Sequence, residues 1–187
     1  MSLTELPDNL PVPVDDGTAD HLNGMRLPDI SLFSTSNEVV IVNQLQGFTV
    51  LYIYPMTGRP DTPLPDGWDE IPGARGCTPQ SCSFRDHHSE LKSLNTQVFG
   101  ISTQSTSDQL EAKERLHLPF DLLSDSSLAL KGSLQLPTFK AAGMELYKRI
   151  TLIVRDGVII KTFYPVFPPS ENAEEVLSWL QSNAQQN

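Results

Sequence analysis

Residues 48–54, Phe-Thr-Val-Leu-Tyr-Ile-Tyr, constrain the fold of this 187-residue chain more than any other segment. Nearly all of these residues are β-branched or aromatic, and an apolar run of this length is typical of a strand that is buried on both faces. A strand can be buried on both faces only when other layers cover both sides of its sheet. The segment therefore predicts the central strand of a sheet in a layered domain.

The rest of the chain supplies further strands and helices around this segment. Shorter strands are predicted at residues 30–33, 39–42, 98–102 and 120–123. Helices are predicted from Pro79 onwards, at 107–116, near 126–132 and from Ser170. An Asp156-Gly157 turn between the apolar runs 149–154 and 158–163 predicts a late hairpin. Strands that alternate with helices, followed by a hairpin, indicate an α/β domain with a central mixed sheet flanked by helices.

Two segments do not fit this alternation. Residues 1–26 are rich in Pro, Asp, Asn and Gly, and they predict a partly ordered N-terminal arm ahead of a domain of residues 27–187. Residues 56–76 contain four prolines and four glycines, with no helix or strand period. A loop this long inside a compact domain is uncommon and usually functional.

Charge and terminal composition exclude several classes of partner. The chain carries 23 acidic and 13 basic residues, so its formal net charge of −10 disfavours binding to nucleic acid or to an anionic membrane. No apolar run is long enough to cross a bilayer. The N-terminus lacks the basic start and apolar stretch of a secretory signal, which predicts a cytoplasmic location. In such a reducing compartment, cysteines are more often catalytic or metal-binding than structural.

The chemistry of the chain centres on its only two cysteines, Cys77 and Cys82. They lie where a glycine-rich approach changes into a helix-like segment. A thiol at the start of a helix faces unpaired backbone N–H groups and the positive end of the helix dipole, which favour the thiolate. A second cysteine five positions later can react with whatever the first becomes. The pair therefore predicts redox catalysis, with Cys77 as nucleophile toward a peroxide and Cys82 as the second thiol.

Helix geometry adds a conformational requirement. Residues five apart on an intact helix have Cα atoms about 8–9 Å apart, whereas a disulfide needs roughly 4.4–6.8 Å. The first turn must therefore unwind before the two sulfurs can join, and helix ends open readily. A fixed cation would stabilise both the thiolate and the leaving oxygen. We assign this role to Arg149 at the start of a core strand, rather than to Arg75 or Arg85.

Other interpretations of the cysteine pair remain open from the residues alone. Cys77, Cys82, His87 and His88 could form a metal site, but their spacing matches no familiar zinc pattern, and adjacent histidines on a helix diverge by about 100°. The two thiols could also be buried and inert. A thiol–disulfide reductase or a redox-sensing interaction module is the alternative function, although Cys-x-x-Cys is the spacing typical of thiol–disulfide exchange.

Residues 76–86, Gly-Cys-Thr-Pro-Gln-Ser-Cys-Ser-Phe-Arg-Asp, resemble the active-site segment of the peroxiredoxins. The resemblance is to the Q-type group, also called the bacterioferritin-comigratory-protein group, of the alkyl hydroperoxide reductase and thiol-specific antioxidant family. Further matches follow in the family's order over roughly residues 27–180, namely Leu-Pro-Asp-Ile-Ser-Leu at 27–32, Tyr-Ile-Tyr-Pro at 52–55, Leu-Pro-Phe-Asp-Leu-Leu-Ser-Asp at 118–125 and Arg-Ile-Thr-Leu-Ile at 149–153.

This resemblance implies a thioredoxin-like fold and a thiol-dependent peroxidase that reduces hydrogen peroxide and organic hydroperoxides. It implies an antioxidant oxidoreductase that needs no metal and no organic cofactor, and that is regenerated by thioredoxin or a similar dithiol protein. Cys77 falls on the peroxidatic cysteine, Cys82 on the resolving cysteine that forms an intrachain disulfide, and Arg149 on the active-site arginine. Because both cysteines lie in one chain, we expect a monomer.

The chain departs from the family at two points near the peroxide pocket. The family has Thr or Ser three residues before the peroxidatic cysteine, to hydrogen-bond the peroxide, whereas this chain has Ala74. The family also passes from its proline to the cysteine within a few residues. Here Pro55 and Cys77 are separated by residues 56–76, which we call the insertion. Thr57, Thr78 or the backbone is available to replace the missing hydroxyl.

Overall fold

The computed structural model describes residues 2–183, and it contains a seven-stranded sheet and a separate two-stranded hairpin. The strands are β1 (Ser31–Ser34), β2 (Val39–Ile41), β3 (Phe48–Ile53), β4 (Thr96–Ser102), β5 (Leu122–Ser124), β6 (Thr138–Ala141), β7 (Met144–Tyr147), β8 (Ile150–Arg155) and β9 (Val158–Phe163). The helices are α1 (Cys77–Asp86), α2 (His88–Ser93), α3 (Thr106–Leu116), α4 (Ala129–Leu134) and α5 (Asn172–Asn183).

The large sheet has the order β2-β1-β5-β4-β3-β8-β9. β3 pairs in parallel with β4 and β4 with β5, whereas the other pairs, including β3 with β8 and β8 with β9, are antiparallel. Parallel neighbours require crossover connections, and helices α1 to α3 supply them. The prediction of an α/β domain with a central mixed sheet flanked by helices is confirmed.

Strand β3 lies inside this sheet and is buried on both faces, as its composition predicts. Val50 and Tyr52 belong to a core that also includes buried residues of α1, α2, α3 and α5. Leu51 and Ile53 point to the opposite core, which includes α4 and part of the arm. Because side chains alternate along a strand, this one segment contributes to both cores.

The helix predicted from Pro79 differs from the structure at both of its ends. It begins at Cys77, and Pro79 is its third residue, where the missing backbone N–H needs no partner. It ends at Asp86, and α2 begins at His88. His87 separates the two helices with φ −99° and ψ 5°, and its ring Nδ1 lies 2.9 Å from the carbonyl oxygen of Ser83.

Two other elements differ from the predictions. The β6–β7 hairpin was not predicted, because its turn is formed by Ala142 and Gly143, both with positive φ, instead of an Asn-Gly or Asp-Gly pair. The last helix was expected from Ser170, but a 3₁₀ turn spans Pro169–Glu171 and α5 begins at Asn172. The predicted hairpin at the Asp156-Gly157 turn is present, as β8 and β9.

The arm packs against the domain over much of its length. Ala19 and Leu22 are buried in the main core, and Arg26 forms an isolated bridge with Val158 of β9. The division into an arm of residues 1–26 and a domain of residues 27–187 stays a prediction, and residues 184–187 lie outside the described range. Within residues 2–183, no helix combines the length and the apolar character that a membrane crossing requires.

Candidate active site

Cys77 is the first residue of α1 and is 3% exposed. The residue before it, Gly76, has a φ of 116°, a conformation that L side chains rarely adopt. A Cβ at this position would also lie 2.8 Å from Pro169 Cγ and 3.0 Å from Leu6 Cδ2. Glycine is therefore required here, and it directs the chain into α1 so that Cys77 lies beside the free N–H groups of the first turn.

Arg149 contacts the sulfur of Cys77. It precedes β8, is 3% exposed, and donates from Nη2 to Cys77 Sγ over 3.2 Å. The same guanidinium donates to the carbonyl oxygens of Gly73 and Ala74 over 3.3 and 2.9 Å. These bonds fix a buried positive charge against the thiol, in the orientation that would stabilise a thiolate.

A chain of buried amide groups holds the other side of this guanidinium. Arg149 Nη1 donates to Gln80 Oε1 over 2.7 Å, and Gln80 Nε2 donates to Asn172 Oδ1 over 3.0 Å. Thr151 Oγ1 also donates to Asn172 Oδ1, over 2.7 Å. The sequence predictions did not include Gln80 or Asn172. The position of Gln80, three residues after Cys77 on the same helical face, is a usable signal, but nothing near Asn172 indicates a role.

Cys82 lies further along α1, and both cysteines are free thiols. It is half-buried and packs at the edge of the core that contains Val50 and Tyr52 of β3. This burial raises the pKa of the Cys82 thiol, and the nearby Arg85 opposes the rise only in part. Because both cysteines lie within one intact helix, the helical spacing that prevents a disulfide applies to this structure.

Aromatic packing anchors the middle of α1 to the sheet. The Tyr52 ring of β3 stacks on Phe84 of α1 at a centroid distance of 4.6 Å, and its hydroxyl lies 3.0 Å from Ser81 Oγ. Complete burial raises the pKa of Tyr52 far above its usual value, so this phenol stays neutral. These contacts hold the middle of α1 against β3.

A small cavity opens over Cys77, with free space of about 10 Å³, which is about what one water molecule needs. Thr78 is the hydroxyl-bearing side chain in its wall. Thr57, in contrast, donates its hydroxyl to Gln104 Oε1 over 3.1 Å. The carbonyl oxygen of Ala74 lies 3.9 Å from Cys77 Sγ.

The other candidate side chains are engaged elsewhere. Arg75 is paired with Asp69 over 2.9 Å and donates to the carbonyl oxygen of Ser2 over 2.7 Å. Arg85 donates to Asp86 and to the carbonyl oxygen of Leu116. His88 faces the ring of Phe120. Within residues 2–183, no three His, Cys, Asp or Glu side chains cluster in a way that could hold a metal ion.

Comparison with known proteins agrees with this arrangement. The family model described as Redoxin matches residues 22–177. Peroxiredoxin Q, chloroplastic, from Suaeda salsa is 29% identical over 163 residues, which cover 85% of this chain and 67% of that protein. Peroxiredoxin Bcp from Bacillus subtilis is 28% identical over 148 residues, which cover 76% of this chain and 85% of that protein. The chain thus spans about two thirds of the chloroplast relative's own length.

Solved structures show the same fold. Peroxidoxin BcpB from Mycobacterium tuberculosis superposes with a TM-score of 0.70 at 23% identity, covering 87% of this chain and 99% of that chain. A Cys-to-Ser mutant of PrxQ from Xylella fastidiosa superposes with a TM-score of 0.72 at 21% identity, covering 88% and 99%. The thioredoxin-like peroxiredoxin fold is therefore confirmed. Since the family model covers most of its length, the chain belongs to the redoxin family, and its resemblance to the Q-type peroxiredoxins is confirmed.

Proposed function

We propose that this protein is a thiol-dependent peroxidase in which Cys77 is the peroxidatic cysteine. The observation that carries the proposal is the 3.2 Å contact from Arg149 Nη2 to Cys77 Sγ at the first residue of a helix. A helix N-terminus and a fixed guanidinium together favour a thiolate and stabilise negative charge on a leaving oxygen. The related proteins named peroxiredoxin, and the alkyl peroxide reduction activity of the structurally similar bacterioferritin comigratory protein from Xanthomonas campestris, support the same activity.

The first step oxidises Cys77. Its thiolate attacks one oxygen of a hydroperoxide, the O–O bond breaks, and the second oxygen leaves as an alkoxide or hydroxide that takes up a proton. The products are a sulfenic acid on Cys77 and an alcohol or water. Arg149 contacts the sulfur throughout and would also face the charge that develops on the departing oxygen.

The second step is resolution by Cys82. After the first turn of α1 unwinds, the Cys82 thiolate attacks the sulfenic sulfur, water leaves, and an intrachain disulfide forms. Exposure of Cys82 to water during this step would remove the burial that raises the pKa of its thiol, and would make it a better nucleophile. A dithiol protein such as thioredoxin would then reduce the disulfide, and the first turn of α1 would form again. We propose a monomer, because both reacting thiols belong to one chain. We also propose a cytoplasmic location, where thioredoxin keeps thiols reduced.

The test measures hydrogen peroxide consumption with dithiothreitol by the wild type and by Cys77→Ser and Cys82→Ser. Cys77→Ser should be inactive. Without dithiothreitol or another external thiol, Cys82→Ser should react once and accumulate a sulfenic acid that dimedone traps. The two substitutions are matched in size and lie on the same helix, so each serves as the control for the other. Equal dimedone trapping in both variants would show that the roles are wrongly assigned.

Further measurements separate the finer parts of the proposal. Turnover with thioredoxin and thioredoxin reductase tests the physiological class of reductant, and sedimentation of the reduced and oxidised forms tests the monomer. Reduction of insulin disulfides without any peroxide consumption would instead establish a thiol–disulfide reductase.

A further inference from the structure

We propose that the insertion builds a binding site for the organic group of an uncharged hydroperoxide, next to Cys77. This inference rests on the proposed peroxidase function and adds a substrate site to it. The insertion lines an open cavity of about 600 Å³. Its volume lies within the usual range of small-molecule sites, about 300–1,000 Å³.

The cavity adjoins the reacting sulfur. Leu3, Leu64 and Trp68 line both this insertion pocket and the small cavity over Cys77. At Gly58, a Cβ would lie 2.9 Å from Leu64 Cδ2 and 3.1 Å from Leu3 Cδ2, so the two leucines meet over the glycine. The wall shared by the two cavities thus contains these aliphatic ends together with Trp68 and the ion-paired Arg75, and the two leucine side chains are its flexible part.

The two cavities differ in size and would hold different parts of an organic hydroperoxide. The space over Cys77 holds about one water molecule, which is enough for the oxygen that the sulfur attacks and leaves no room for a phenyl or alkyl group. The insertion pocket has that room, and Leu3, Leu64 and Trp68 give it an apolar wall on the side of the thiol. An organic hydroperoxide would therefore place its carbon skeleton in the insertion pocket and its terminal oxygens at Cys77.

The charge of the insertion pocket selects against anions. Its wall contains four acidic side chains, Asp61, Asp66, Asp69 and Glu70, against two arginines. Both arginines are ion-paired, Arg59 with Asp108 over 2.7 Å and Arg75 with Asp69 over 2.9 Å. A carboxylate on the substrate would meet this excess of negative charge, so an uncharged hydroperoxide is the favoured class.

Binding can be tested without any turnover, by using the alcohol that remains when cumene hydroperoxide is reduced. The chain has two tryptophans, of which Trp68 lines the insertion pocket and Trp179 lies on α5. Cumyl alcohol added to the reduced protein should change the intrinsic fluorescence saturably in the wild type and in Trp179→Phe, but not in Trp68→Phe. The anion 4-isopropylbenzoate, of similar size, should cause no such change. A change that survives in Trp68→Phe, or no saturable change in the wild type, would overturn the proposal.

Kinetics test whether the same pocket serves the substrate. The readout is the ratio of kcat/KM for cumene hydroperoxide to kcat/KM for hydrogen peroxide, because effects on the thiol itself cancel in this ratio. Leu64→Asp adds a carboxylate to the shared wall and should lower the ratio at least tenfold. Leu110→Asp, at a partly exposed leucine of α3 that lines neither cavity, should leave the ratio within twofold of the wild type.

The outcomes separate the two proposals. An unchanged ratio in Leu64→Asp, with both substrates still reduced, would overturn the insertion pocket and leave the peroxidase intact. If the wild type consumes no hydroperoxide at all, the peroxidase proposal itself is overturned, whatever the fluorescence titration shows. If Leu64→Asp does not fold, the titration with the two tryptophan variants decides the question alone.

Discussion

Removal of the Arg149 guanidinium should slow the oxidation of Cys77 far more than its effect on folding would explain. The guanidinium reaches Cys77 Sγ over 3.2 Å and is 3% exposed, so water does not replace it freely. A hydrogen bond to a charged group contributes roughly 1.5–3 kcal/mol. If the reacting thiolate loses this contribution, each 1.4 kcal/mol lowers the rate about tenfold. We therefore expect Arg149→Met to oxidise roughly 10- to 100-fold more slowly at neutral pH.

Arg149→Lys should oxidise at a rate between those of the wild type and Arg149→Met. A lysine keeps the positive charge, but its ammonium cannot reproduce the planar fork that reaches Gln80, Ala74 and the sulfur at the same time. The assay mixes reduced enzyme with hydrogen peroxide, stops the reaction by alkylation, and counts unreacted Cys77 by mass spectrometry. The second-order rate constant follows without any reductant in the mixture.

Arg155→Lys is the matched control, because Arg155 lies at the other end of β8 and faces the ring of Phe48. Cys77 of the Arg155→Lys variant should be oxidised at the wild-type rate. Both Arg149 variants must first show a native near-ultraviolet spectrum, since loss of the guanidinium also leaves buried carbonyl oxygens without a donor. A folded Arg149→Met that oxidises within threefold of the wild type would refute the assigned role.

Three further outcomes are expected. Asn172→Ala removes the acceptor that orients Gln80, so it should lower the free energy of unfolding by roughly 1–3 kcal/mol in urea titrations and slow oxidation, whereas a slower oxidation without any loss of stability would contradict this account. The raised pKa of Cys82 means that iodoacetamide should label it with a pH midpoint above that of a free cysteine. Because the native state holds this proton more tightly than the unfolded chain, stability should fall as the pH rises past the thiol's ordinary pKa. Gly100→Ala would place a Cβ 2.6 Å from Tyr52 Cζ, and should cost roughly 1–3 kcal/mol in thermal unfolding.

The sequence predicts the framework better than the details of the site. Burial of β3 on both faces follows from its composition alone, and the Asp156-Gly157 hairpin follows from its turn. Pro79 predicts the start of the first helix two residues too late, because glycine at position 76 already allows the helix to begin at Cys77. Boundaries of this kind depend on backbone angles that local propensity does not determine.

Some residues of the candidate site are also predictable from the sequence, and others are not. Cys77 and Cys82 are candidates from their types and spacing, and the structure places Arg149 against the first of them. Gln80 and Asn172 could not be assigned, because their importance comes from contacts between segments more than 90 residues apart in sequence. Only the packing of α1 against α5 and β8 brings these side chains within hydrogen-bonding distance of each other.

The contacts around Gly76 link the redox step to parts of the chain that never meet the substrate. Leu6 of the arm and Pro169 of the 3₁₀ turn close on this glycine from outside α1. Both of them pack where the first turn of the helix begins, so unwinding of this turn would disturb their contacts. Substitutions at these two positions would therefore change the balance between the helical and the disulfide-bonded forms, and hence how long a sulfenic acid survives to be over-oxidised, while every reacting atom stays the same.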